Sequence, residues 1–129
     1  MADPFIFINT YAIQPDMLDA YKQRFQRTAK VVEDNEPRML YFACHVDDSG
    51  TEATTVQVHA DADNMAFHMQ LVGDHIEAAR DFLDFSSMSM RIYGSPTDAL
   101  LEQMRKLAGA GVDVTVSRPA IAFDRFPVP

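Results

Sequence analysis

The hydrophobic pattern of this chain switches between a period of two and a helical period. Apolar, aromatic and alternating positions predict four strands, at residues 5–13, 39–46, 52–59 and 86–93. Residues 47–50, with the sequence Asp-Asp-Ser-Gly, predict a hairpin turn between the second and third strands. These side chains favour turns, and glycine accepts a positive φ.

The first helix is predicted between the first two strands. Pro15 is expected in its first turn, where a missing N–H costs nothing. Side chains then recur every three or four residues and form one core stripe: Leu18, Tyr21, Phe25, Thr28 or Ala29, and Val32. We expect the helix to stop before Glu36-Pro37, because the residue preceding a proline avoids helical backbone angles.

The second helix is predicted to begin at residues 61–64, which offer several N-cap side chains. An apolar stripe follows: Met65, Met69, Val72, Ile76 and Ala79. We expect Gly73 to break this helix, because it interrupts the stripe and because Asp74 with Glu77 resembles a capping box. A second short helix would then end near Leu83.

The order of elements is β-α-β-β-α-β, which predicts an α+β fold of the ferredoxin-like type with one antiparallel sheet. An extension follows the fourth strand. It comprises a third helix with Ser95 as cap and Pro96 in the first position, a short strand at residues 112–116, and an apolar tail at residues 118–129.

We interpret residues 1–129 as a single domain, with a core at 5–93 and the C-terminal extension at 94–129. The strands carry apolar side chains on both faces, whereas helices on one side cover only one face. A second copy of the chain is the simplest cover for the other face. We therefore expect a homodimer through the sheet faces, and the apolar tail is a candidate for exchange between copies.

Charge and composition exclude several classes of partner. The net charge is −8, and the basic residues between 22 and 30 are expected on a solvated helix face, so nucleic-acid binding is not predicted. No apolar run approaches the roughly 18 residues of a membrane span. Cys44 is the single cysteine, so an intrachain disulfide is excluded and a reducing cytoplasm is the expected compartment.

Three of the four histidines, His59, His68 and His75, lie in one stretch of the chain. Histidine is the side chain whose ordinary pKa lies nearest neutral pH, so His68 on the second helix is our first candidate for a general base. His59 ends the third strand and is expected nearby. The spacing of the three matches no recognised metal motif, so no metal is predicted.

Several segments resemble the antibiotic biosynthesis monooxygenase (ABM) domain of the dimeric α+β barrel superfamily. They read FINTYAIQPDMLDAYKQRF, EPRMLYF and TTVQVHADADNMAFHMQ, and the resemblance covers about residues 5 to 93. Glu36 and Pro37 match the Glu-Pro-Gly that precedes strand two in that family, and His68 stands where a helix histidine is expected. The third helix and the tail are not part of the common domain.

The chain also departs from this family pattern. Arg38 replaces the glycine of the Glu-Pro-Gly motif, and Gln57 and His59 stand where a glutamate and an aromatic residue usually lie. In the haem-degrading branch of the family, an asparagine on the first strand, a tryptophan and a histidine cooperate. Asn9 and His68 match two of these residues, but the chain contains no tryptophan, which argues against that branch.

The resemblance implies a dimeric α/β barrel with a pocket between the sheet and the helices of each subunit. It implies a cofactor-free monooxygenase acting on a small phenolic or quinol compound, with His68 as base and His59 or Asn9 as polarising groups. The further candidates for contact with this small aromatic ligand are Tyr11, Tyr41, Met65, Phe67 and Arg91. No cofactor is expected.

Two other functions remain open on the sequence. The first is a non-catalytic dimeric module that binds a small ligand or only assembles. In such a module the histidines would be ordinary core or surface residues, which are common in proteins. An isomerase or decarboxylase on the same barrel would use the same base without oxygen. The position of the His68 side chain relative to a cavity separates the catalytic and non-catalytic interpretations.

Overall fold

The computed structural model describes residues 3–126. Its elements are β1 (Phe5–Ile13), α1 (Leu18–Asn35), β2 (Met39–Val46), β3 (Glu52–His59), α2 (Ala62–Ala79), β4 (Leu83–Tyr93), α3 (Asp98–Ala108) and β5 (Asp113–Ser117). Within this part of the chain, no helix combines the length and the apolar character that crossing a membrane requires.

The strands form one mixed sheet in the order β2-β3-β1-β4-β5. The pairs β1–β3, β1–β4 and β2–β3 are antiparallel, and β5 is added parallel to β4 at the edge. The predicted ferredoxin-like α+β fold is confirmed. The sheet of one chain is open and does not close into a barrel.

The core lies between this sheet and the helices. Alternate residues of β1, among them Phe5, Phe7 and Tyr11, are buried on the helix side. The third helix contributes Leu100 and Met104 to the same cluster, so the C-terminal extension completes the core. Burial of one such apolar side chain stabilises the fold by about 1.5 to 3 kcal/mol.

Two helix starts differ from the sequence prediction. The first helix begins at Leu18, because Asp16 adopts a positive φ of 64° and turns the chain after Pro15. The third helix begins at Asp98, and its cap is Thr97, whose hydroxyl oxygen accepts a hydrogen bond from the Leu100 N–H at 3.1 Å. Propensity alone did not distinguish Thr97 from Ser95, since both side chains can cap a helix.

The predicted break at Gly73 is wrong. The second helix is continuous from Ala62 to Ala79, and its N-cap is Asp61, whose carboxylate accepts from the Asn64 N–H at 2.9 Å. Packing of the buried stripe outweighs the cost of one glycine, which is about 1 kcal/mol. His68 and His75 therefore lie on the same helix face, two turns apart.

Gly73→Ala should stabilise the protein by about 0.5 to 1 kcal/mol, because alanine loses less backbone entropy in a helix. A Cβ at this position would meet no atom within 4 Å. Gly94→Ala is the matched control: its φ is 153° and its Cβ would lie 3.2 Å from Phe5 Cδ2, so it should destabilise. Urea unfolding of both variants measures the difference. A destabilised Gly73→Ala protein would contradict the continuous helix.

Candidate functional site

A cavity of about 130 Å³ lies between the sheet and the helices. Its walls are mainly aromatic and methionine side chains from every layer, including Phe25, Phe42, Met69, Met90 and Met104. An engineered apolar cavity of about 150 Å³ is known to admit benzene. The volume therefore suits a ligand with one aromatic ring.

His68 lies in the wall of this cavity and is paired with Glu36. Its Nδ1–H donates to Glu36 Oε2 at 2.7 Å, and the two residues are 2% and 3% exposed. Glu36 follows the last turn of α1 and precedes Pro37, which ends the helix and lets the side chain turn inward. Since Nδ1 is engaged, Nε2 is the nitrogen left for a ligand, and within residues 3–126 it has no hydrogen-bond partner.

His59 is fully buried behind this wall and does not line the cavity. Its Nε2–H donates to Gln57 Oε1 at 2.9 Å, and its Nδ1 accepts from Asn64 Nδ2 at 2.8 Å, which fixes the neutral ring. Burial lowers the pKa of His59 to about 3, and the adjacent His68 acts in the same direction. His59 is therefore neutral near pH 7, and its ring meets His68 edge-on with 5.4 Å between centroids.

Asn9 and Tyr11, both on β1, line the cavity. Asn9 Oδ1 is buried and has no hydrogen-bond partner among residues 3–126, so its amide is free to bind a ligand. The Tyr11 hydroxyl is instead bonded to the hydroxyls of Tyr21 and Thr55. Burial raises the pKa of Tyr11 to about 12 and also raises that of Tyr21, so both phenols are neutral at physiological pH.

Of the other ligand-contact candidates, Met65 is buried in the cavity wall, whereas three lie elsewhere. Tyr41 is 48% exposed on the sheet face away from the helices, and its hydroxyl lies 3.3 Å from His45 Nε2. Phe67 is 48% exposed, because it lies outside the buried stripe of α2 that includes Met65, His68 and Val72. Arg91 is on the outer sheet face and pairs with Asp113 of β5 at 3.1 Å. These three do not belong to the cavity.

The sequence prediction missed several residues of the site. Glu36 was expected to mark the helix end and to match the family's Glu-Pro-Gly, but not to be the buried partner of the cavity residue His68. Arg24 was predicted on a solvated face but lines the cavity. Thr28, for which the helical stripe allowed a core position, lines the cavity one turn further along α1. His75 also reaches the cavity, and the wrongly predicted break at Gly73 had concealed this.

No three His, Cys, Asp or Glu side chains within residues 3–126 converge closely enough to hold a metal ion. Glu36 is engaged by His68, and the His59 nitrogens are engaged by amides. The absence of a metal and of a cofactor from the reaction stays a prediction.

No protein-family profile and no curated protein matches the sequence. Solved structures do match it. MupZ from Pseudomonas fluorescens superimposes with a TM-score of 0.74 at 18% identity, over 97% of this chain and 91% of that one. The 97% coverage includes most of the extension, so the likeness to MupZ extends beyond β4.

Two further structures match mainly the core. A protein from Caulobacter crescentus CB15, provisionally designated an antibiotic biosynthesis monooxygenase, has a TM-score of 0.65 at 14% identity over 74% of this chain and 92% of its own. SnoaB, a cofactor-independent oxygenase from Streptomyces nogalater, has a TM-score of 0.61 at 17% identity over 74% and 96%. At these identities the comparison concerns the fold, and the chain shares the ferredoxin-like fold of the antibiotic biosynthesis monooxygenases.

Proposed function

We propose that this protein is a cofactor-independent monooxygenase-like oxidoreductase that acts on a small phenolic or quinol compound. The observation that carries the proposal is that His68, in the wall of an apolar cavity suited to one ring, is hydrogen-bonded to the buried Glu36. A carboxylate that holds one nitrogen of a histidine leaves the other as an oriented base. SnoaB, which has the same fold, is a cofactor-independent oxygenase and supports this class of reaction.

The proposed reaction begins with proton transfer from the phenol to His68 Nε2. Glu36 stabilises the imidazolium that forms, and the Asn9 amide orients the phenolate oxygen. The phenolate then passes one electron to O2, and the aryloxyl radical and superoxide combine to a peroxide. Loss of water from the peroxide leaves a quinone, so one oxygen atom enters the product and the other leaves as water.

A second candidate function uses the same pair without oxygen. His68 and Glu36 form a hydrogen-bonded pair that can transfer a proton, which an isomerase or a decarboxylase also requires. An isomerase or decarboxylase would therefore also fit this constellation. Product analysis under anaerobic conditions separates the two, because only the monooxygenase depends on O2. A protein without turnover under either condition would support the non-catalytic binding module.

The half-buried thiol of Cys44 fits the proposed reducing cytoplasm. Burial raises the pKa of Cys44, which keeps it protonated and poorly reactive. The described structure assigns no disulfide to this residue.

The proposed active unit is a homodimer. Ile6 pairs with Val58 and Ile8 with Val56 in the β1–β3 register, and all four are only partly buried on the sheet face away from the helices. This contiguous apolar face would pack against the same face of a second copy. In the tail, Ile121 is 98% exposed and Phe123 is 78% exposed, so these side chains are available for exchange onto the partner.

His68→Ala should lower oxygen uptake with a panel of hydroquinones by at least about 100-fold, because the proton acceptor is lost. An oxygen electrode measures the rate, and quinone absorbance identifies the product. Gln70→Ala, on the exposed side of the same helix, is the matched control and should retain the wild-type rate. Equal oxygen uptake by wild type and His68→Ala would refute the assigned role.

Glu36→Gln should lower the same rate by about 10- to 100-fold, since the amide still accepts the His68 hydrogen bond but no longer stabilises a positive charge. Glu36→Asp keeps the charge and should recover part of the rate. Circular dichroism and thermal unfolding establish that both variants fold. An unchanged rate for folded Glu36→Gln would remove Glu36 from the mechanism.

Val56→Glu should convert the dimer into a monomer, because it places a charge at the centre of the apolar sheet face. Sedimentation equilibrium measures the mass, and Gln70→Glu serves as a control of equal charge on the helix side. A wild-type protein that sediments as a monomer at micromolar concentration would contradict the dimer.

A further inference from the structure

Arg24 is an unpaired cation in the cavity wall. Among residues 3–126, three buried side-chain polar atoms lack a hydrogen-bond partner: Asn9 Oδ1, Arg24 Nε and Glu36 Oε1. Two of these residues line the cavity, and the third is the partner of His68. None of the ion pairs in this part of the chain involves Arg24. The cavity therefore has unused polar groups that a ligand can satisfy.

The charge of the lining is one-sided. Among residues 3–126, Arg24 is the only arginine or lysine in the lining, and no aspartate or glutamate lines the cavity. The protein as a whole carries a net charge of −8, so the absence of acidic side chains from this wall is a local feature. Arg24 is half-buried, and its Nε is fully buried without a partner. A half-buried cation beside apolar side chains attracts an anion more strongly than a cation in bulk water does, because the effective dielectric constant near it is lower.

Two polar side chains lie beside Arg24. The Thr28 hydroxyl, one turn along α1, lies 3.2 Å from the Arg24 carbonyl oxygen and 3.1 Å from His75 Nδ1 on α2. Burial lowers the pKa of His75, the positive charge of Arg24 lowers it further, and the negative charge of Asp74 opposes this shift. We call Arg24, Thr28 and His75 the basic end of the cavity.

The basic end is separated from the catalytic pair. His75 follows His68 by seven residues on the continuous α2, which corresponds to about 10 Å along the helix axis. Aromatic and methionine side chains, including Phe25 and Met69, line the cavity as well. This arrangement fits a ligand with a hydroxyl group at one side of a ring and an anionic group at the other.

We propose that Arg24 binds a carboxylate of the substrate, so that the substrate is an acidic phenol or quinol of one ring, such as a dihydroxybenzoate. A guanidinium presents paired N–H donors that match the two oxygens of a carboxylate. Thr28 and His75 complete the polar surroundings of that group. The identity of the phenol rests on the proposed function, whereas the carboxylate site rests on Arg24 and the cavity alone.

Binding of benzoate and of its neutral isostere benzamide tests the carboxylate site without any turnover. Titration calorimetry should give at least about tenfold tighter binding of benzoate to the wild-type protein. Arg24→Met should abolish this preference and leave benzamide binding unchanged. Arg27→Met, an exposed position on the same helix, is the control for general loss of positive charge and should keep the preference. Arg24→Lys retains the charge and should retain part of it.

Equal affinity of the wild-type protein for the two probes would overturn the proposal, and so would a preference that survives Arg24→Met. Failure to bind either probe at millimolar concentration would overturn it as well. Thermal unfolding shows whether Arg24→Met is folded, and Arg24→Lys provides the second test if it is not.

Measurements of turnover separate the proposed carboxylate site at Arg24 from the proposed oxygenase reaction at His68. With 2,5-dihydroxybenzoate, Arg24→Met should raise KM at least about tenfold with little change in kcat, whereas with 2,5-dihydroxybenzamide KM should not change. His68→Ala should lose turnover but still prefer benzoate to benzamide. An Arg24-dependent preference without oxygen uptake would sustain the carboxylate site and reject the oxygenase. Oxygen uptake without a preference for benzoate would sustain the oxygenase and reject the carboxylate site.

Discussion

The hydrogen bond between His68 and Glu36 connects the parts of the structure on which the site depends. It joins the C-terminal end of α1 to the middle of α2 across 32 positions of sequence, and both side chains are almost fully buried. Removal of either partner would leave a polar group without its counterpart in an apolar interior, which typically costs about 1 to 3 kcal/mol. The same contact orients the imidazole toward the cavity. Stability of the fold and orientation of the proposed base therefore depend on one interaction.

The two buried imidazoles illustrate how environment assigns roles. His59 is held by two amides, Gln57 and Asn64, which bond both of its nitrogens and favour the neutral ring. His68 is held by a carboxylate on one side only, so it keeps one nitrogen for the cavity. The two rings lie edge-on to each other, and burial lowers the pKa of His59. Such a division between neighbouring titratable groups is typical of acid–base sites.

The C-terminal extension takes part in the cavity as well as in the core. Met104 and Leu107 of α3 close its wall, and β5 extends the sheet beside β4. The comparison with MupZ includes this part of the chain, whereas the other two structures described above cover 74% of it. The extension therefore supplies part of the cavity wall that residues 5–93 do not supply.

The sequence by itself determined the order of elements, most strand bounds and the apolar stripes, because these follow from local periodicity and turn residues. It also identified His68, Asn9, Tyr11 and Met65, all of which line the cavity. It did not determine that Glu36 turns inward, that Gly73 lies within a continuous helix, or that Tyr41, Phe67 and Arg91 lie away from the cavity. Those outcomes were decided by the packing of α1 and α2 on the sheet. Side chains distant in sequence meet only there, and the free energy of that packing exceeds local preferences of about 1 kcal/mol.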